Sequence, residues 1–158
     1  MANYIYPAPG VTGVESTLSL EIVADGTSDS LSVPSLQDIT VNAANDVFTW
    51  TQLDEGSKKQ IATTATNSIS MNLVLDQTTF FGSAGSGTTA SAAGIFGMSS
   101  QKDLVSFELY LGDESDGTTG KTISGSGYIT GLAPTVSADS PVWVSPITIT
   151  VTGDYTVA

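Results

Sequence analysis

Residues 120–156 read GKTISGSGYITGLAPTVSADSPVWVSPITITVTGDYT, and the fold is decided here. Two strand patterns face each other across a polar turn. In the second, Val142–Thr152, Ile147, Ile149 and Val151 alternate with Thr148, Thr150 and Thr152. One face is apolar and the other hydroxylated, the period-two signature of a half-buried strand. In the first, Lys121–Leu132, Ile123 and Ile129 lie among small residues, and Gly125, Gly127 and Gly131 interrupt the run. So much glycine inside a strand marks a bend or a close approach of another backbone. Pro134, Asp139 and Pro141 carry the connection, and Gly153-Asp154 stops the second strand.

The same alternation recurs upstream. Leu18, Leu20 and Ile22 line one face of a strand over Val14–Ala24; Ile69, Met71, Leu73 and Leu75 line one over Ser68–Leu75. Val105, Phe107, Leu109 and Leu111 do so over Asp103–Leu111. Leu31–Val33 is a short strand, and Ser35–Val41 is a turn leading into a brief one. Val47–Leu53 is a strand whose Phe48 and Trp50 share a face, and burying that aromatic area predicts a place in the core. Asp54–Thr66, DEGSKKQIATTAT, has Ile61 as its one strongly apolar residue and is predicted as a long loop. Asp76–Phe81 is predicted as a turn anchored by Phe80-Phe81. One short helix is predicted near 90–98, capped by Ser91 and stopped by Gly97. Residues 1–12 hold Tyr4, Ile5 and Tyr6 ahead of Pro7 and Pro9, an extended arm that either frays or docks its aromatics on a neighbour.

Composition narrows the function. In 158 residues, 40% are hydrophobic and only 13% charged, which predicts one all-β domain rather than a disordered chain. There is no cysteine, hence no disulfide or thiolate metal site, and no histidine, the commonest general base. Sixteen acids against four lysines give a net charge of −12, a surface that repels nucleic acid. The acidic loop Gly112–Gly120 has the oxygen ligands for calcium but no distal glutamate at the spacing an EF-hand requires. Carboxylate pairs for glycoside hydrolysis are inevitable among sixteen acids and therefore uninformative. Ser57-Lys58 and Ser124 near Lys121 lack a strained elbow or supporting base, and Gly82–Gly87 lacks a phosphate-loop lysine. No enzyme, cofactor or metal is expected. No stretch has the length of a membrane span or the pattern of a signal peptide, so a soluble protein without membrane partners is expected.

The run GYITGLAPTVSADSP followed by ITITVTGDYT resembles the C-terminal hairpin of phage major tail tube proteins, and earlier segments fit that family in order. The resemblance covers roughly residues 13 to 156 and is one of pattern and order, without a short invariant motif. It implies two packed antiparallel sheets, as a β-sandwich or a partly open barrel, in one domain over 13–158. It implies hexameric rings stacked into a tube whose inner sheets join as a large β-barrel. Such a tube lies in a virion tail, is made in the bacterial host cytoplasm, and delivers DNA that passes without specific binding. Sheath or terminator and tape-measure proteins would be its neighbours. The loop at 54–66 would reach the adjacent ring, making Asp54, Glu55, Lys58 and Lys59 candidate inter-ring contacts; the alternative is a solvated loop. Phe48, Trp50 and Trp143 are candidate packing or assembly aromatics. The acidic surface would line the channel and keep phosphate from sticking.

Two alternatives remain at this level. One is a carbohydrate-binding or adhesin β-sandwich using Trp50, Trp143 or Tyr110 as stacking platforms. The other is the ring-forming tube protein of contractile secretion systems, which shares the tail-tube fold.

Overall fold

A computed structural model describes residues 17–24, 29–33, 36–54, 56–112 and 120–158. The chain order is β1 (Thr17–Ile22), β2 (Ser30–Val33), β3 (Leu36–Asn42), β4 (Asn45–Thr51), β5 (Lys58–Thr64), β6 (Asn67–Val74), α1 (Gln77–Phe81), α2 (Ala90–Gln101), β7 (Val105–Leu111), β8 (Lys121–Leu132), β9 (Thr135–Ser137) and β10 (Ser140–Val157). All strand pairings are antiparallel. One eight-stranded sheet runs β2-β1-β7-β8-β10-β6-β3, with β9 added beside the start of β10. It curls into a half-barrel. A separate two-stranded sheet is β4 with β5.

The alternating residues set the register. Ile149 stands opposite both Ile69 of β6 and Ile129 of β8, and Leu20 opposite both Leu31 and Phe107. One face of the sheet therefore collects the core: Leu18, Leu20, Phe107, Leu109, Ile147, Ile149, Ile69 and Met71 are all buried. The helices cover that face with Phe80, Ala93, Ile95 and Met98, also buried. Gly125 shows why β8 needs glycine, since a Cβ there would lie 2.8 Å from the Phe107 ring.

The all-β class is as the sequence predicts, with the sheet in the partly open, curled form. Several details differ. Gly153-Asp154 does not end the last strand: β10 bulges there and continues to Val157. Asp76–Phe81 is a helix rather than a turn: Asp76 caps α1, its carboxylate accepting from the Thr79 N–H at 3.0 Å. Thr89, not Ser91, caps α2, which runs past Gly97 to a left-handed Lys102. Gly97 does not stop it; a bare glycine there lets the Gly85 carbonyl approach, and a Cβ would meet that oxygen at 3.0 Å. The predicted loop 54–66 is largely strand β5. Residues 1–12 lie outside the described residues.

Gly82 (φ 68°) and Gly94 (φ 67°) bring their backbones into contact where α1 ends and α2 kinks. A side chain on either would collide with the other's main chain. Ser83 and Ala84 N–H groups donate to the Ser91 and Ala92 carbonyls at 3.0 and 3.1 Å, tying the two helices together. Asp29 anchors the same corner to β2, accepting from the Ser91 N–H and hydroxyl at 2.9 Å each. These bonds, the backbone one first, hold the Asp29 carboxyl below its ordinary pKa.

Candidate assembly surfaces

Three surfaces stand out, each prepared by the strand pattern. The first is an arm. β3 and β6 form an edge hairpin, with Val41 opposite Ile69 and Asn42 opposite Ser68. Beyond that point the two segments leave the sheet and pair again, from Asn45 opposite Thr64 to Thr51 opposite Lys58. At about 3.3 Å per residue, each seven-residue strand of this arm extends about 23 Å. Ala44 N–H donates to Asn67 Oδ1 at 2.8 Å across the gap. The Tyr155 hydroxyl points between the carbonyls of Asn42 and Ser68 at 2.8 and 3.1 Å, pinning both strands at the arm's root. Burial pushes the Tyr155 phenol up from its usual pKa.

Because strands alternate, the arm has two unlike faces. Phe48 and Trp50 lie on one, with their cross-strand partners Ile61 and Lys59. Their rings stack at 6.0 Å between centroids. Phe48 and Trp50 are thus not core residues, contrary to the sequence expectation: Phe48 is 60% exposed and Ile61 57%. Among the described residues the core does not reach this face. Val47, itself 54% exposed, lies on the other side with Thr49, Thr51, Gln60 and Lys58. Asp54 sits in the exposed turn at the tip; Glu55 falls outside the described residues.

The second surface is the sheet face away from the helices. Ser19, Glu21, Ser106, Glu108, Ser124, Ser126, Thr148, Thr150, Ser68, Ser70 and Asp38 form adjoining cross-strand rows on it. Glu21 and Glu108 share a polar hollow with Ser19, Ser30 and Ser106. The charges it carries among the described residues are acidic. At its two margins, β2 and β3 each pair on one side only among the described residues.

The third is a cleft at the opposite end of β6 and β10 from the arm. Leu75, Asp76, Gln77, Phe81 and Trp143 enclose about 370 Å³, with almost wholly apolar walls. Trp143 is 52% exposed, and its carbonyl accepts from the Leu75 N–H at 2.8 Å. Phe81 also touches Phe96, the rings 5.8 Å apart. Sequence reasoning singled out Trp143 but not its partners Leu75 and Phe81, which looked like ordinary core positions.

Chemistry is sparse elsewhere. Among the described residues no three metal-ligating side chains gather, and no helix is long and apolar enough to cross a membrane. The candidate calcium loop lies mostly outside the described residues, at 113–119.

No protein-family model matches the sequence, and no curated sequence is similar to it. Solved structures are similar in fold. One is a chain of the PVC extracellular contractile injection system, from its sheath/tube terminator in the extended state: 14% identity, TM-score 0.58, 97% of each chain covered. A second is from the tail of an empty GTA particle: 13% identity, TM-score 0.58, over 89% of this chain and 95% of that one. A third is the SPP1 tail tube: 12% identity, TM-score 0.60, over 90% of this chain and 75% of that one. The fold is that of proteins in phage-like tails and contractile injection systems, including tail tubes.

Proposed function

We propose that this chain is a structural subunit of a tail tube, with copies joining side by side into hexameric rings that stack around a channel for DNA. One observation carries the reading: a single curled sheet has a hydroxylated, acidic face on one side, its hydrophobic core on the other, and margin strands that each pair on one side only among the described residues. Unpaired edges are a liability unless another chain covers them, and joining β2 of one copy to β3 of the next removes both. Six such joins close a ring with the hydroxylated face inward. Glu21, Glu108 and Asp38 then line the channel, where like charge keeps phosphate from adsorbing. Function here is mechanical and electrostatic rather than catalytic. Sheath, terminator and tape-measure proteins are the partners this role entails, and a virion tail its location.

Negative-stain electron microscopy of the concentrated protein across a salt series tests the reading. Hollow rings or tubes are the expected result. Uniformly small particles at every salt, also in the presence of preformed tube fragments, would reject it.

A further inference from the structure

We propose that the cleft of Leu75, Asp76, Gln77, Phe81 and Trp143 binds a small organic cation carrying a quaternary ammonium group. This site does not depend on the tube reading. Its aromatic walls come first. Trp143 and Phe81 are both about half exposed, so two aromatic side chains are open to a ligand. Phe81 packs on Phe80 and Phe96, with ring centroids 5.0 and 5.8 Å away, and Trp143 is not among its ring partners. The two rings therefore line one hollow without covering each other. Both stand on fixed backbone. The Leu75 N–H holds the Trp143 carbonyl at 2.8 Å, and the Phe80 N–H donates to the Asp76 carbonyl at 2.9 Å within α1.

Charge comes second. Asp76 is the one charged residue of the five, and it is an acid. Its Oδ2 accepts from the Thr79 N–H at 3.0 Å and the Thr79 hydroxyl at 3.2 Å. Those bonds fix the carboxylate and leave Oδ1 without a hydrogen-bond partner among the described residues. From Gln77 to Gln101 the sequence has no charged residue, so neither helix offers a lysine to neutralise it. Lys58 and Lys59 stand on the arm at the other end of β6. Asp139 is exposed in the turn at the cleft's own end. A molecule of net charge −12 draws cations to such a place.

The walls select which cation. A primary ammonium is strongly hydrated and brings three donors, and the nearly apolar cleft has few acceptors for them. A quaternary ammonium has no N–H donor, packs its methyl groups on apolar walls, and is attracted by aromatic faces, tryptophan best. An anion would meet Asp76 with no basic side chain beside it. A sugar would bury hydroxyls against walls that cannot pair them. The volume, about 370 Å³, lies within the range of small-molecule sites. The other exposed tryptophan candidate fails on the same grounds: Trp50 stacks on Phe48 and stands opposite Lys59, which repels a cation.

Choline is the probe, and 3,3-dimethyl-1-butanol, its uncharged carbon isostere, the control. The chain has two tryptophans, so Trp50→Phe leaves Trp143 as the only one. Its fluorescence, in dispersed protein at constant ionic strength, should change saturably with choline. The isostere should bind about tenfold more weakly or worse. Asp76→Asn keeps a capping side chain for α1 while removing the charge. It should weaken choline several-fold and leave the isostere unaffected. Trp143→Ala, followed through the choline methyl signals by saturation-transfer NMR, should abolish binding, with a thermal melt to show that the variant is folded. Should that variant not fold, the Asp76→Asn comparison decides alone. No saturation with choline, equal binding of choline and isostere, or choline binding that survives Trp143→Ala or is unchanged by Asp76→Asn overturns the site. None of these results bears on whether tubes form, which microscopy decides separately.

Discussion

Gly94 is the position where one atom matters most. Its positive φ and its contact with the Gly82 backbone leave no room for a methyl group. Gly94→Ala should destabilise the fold by at least about 1–3 kcal/mol, read by urea or thermal unfolding, because strain and collision act together. A Gly85→Ala control should lose less, since a Cβ there would meet only the Phe81 carbonyl, at 3.7 Å. Asp29 gives a pH-dependent companion. Its folded pKa lies below its unfolded value of about 3.9, so its stabilising effect is complete above that value and disappears as pH falls through the folded pKa. The stability difference between the parent and Asp29→Ala should be present at pH 7 and vanish in strong acid. A difference that persists unchanged there would contradict the assigned bonds. Neither site was legible in the sequence. Gly94 reads as an ordinary helix interruption, and the Asp29–Ser91 bond joins residues whose proximity only the fold creates.

The elements of the sheet were legible because they sit half in a core. Leu18-Leu20-Ile22, Val105-Phe107-Leu109 and Ile147-Ile149-Val151 must alternate to bury one face, and the alternation shows. The arm hid for the opposite reason. Among the described residues β5 pairs with β4 alone, so KKQIATT has no need of an apolar row, and the segment reads as a loop. Phe48 and Trp50 carry the composition of a core pair, yet the arm holds them outside the core of the described residues. Tyr155 is the element-scale handle on this arm. Tyr155→Phe removes the hydroxyl shared by the Asn42 and Ser68 carbonyls. It should cost about 1 kcal/mol and speed amide exchange across residues 45–64 more than in β7 or β10. Equal acceleration everywhere would show that the hydroxyl supports the sheet at large rather than the arm.

At the scale of the molecule, charge governs. With −12 on each copy, gathering copies is opposed by repulsion that salt relieves as the Debye length falls from about 30 Å at 0.01 M to about 8 Å at 0.15 M. The critical concentration for assembly should therefore drop with added salt across that range; a flat response in sedimentation would sink this account. Glu108→Lys on the hydroxylated face should make tubes that hold duplex DNA at low salt, with a log–log salt slope steeper by about one for each phosphate contacted. Parental tubes should hold none. A Glu108→Lys tube that also holds none would place this face somewhere other than the channel.

The opposed placement of arm and cleft has a consequence for how such a filament begins and finishes. In a tube built as proposed, with every copy pointing the same way along the axis, the two tips would be chemically different objects, one presenting ribbons and the other clefts. A protein that starts growth could not then stand in for one that halts it.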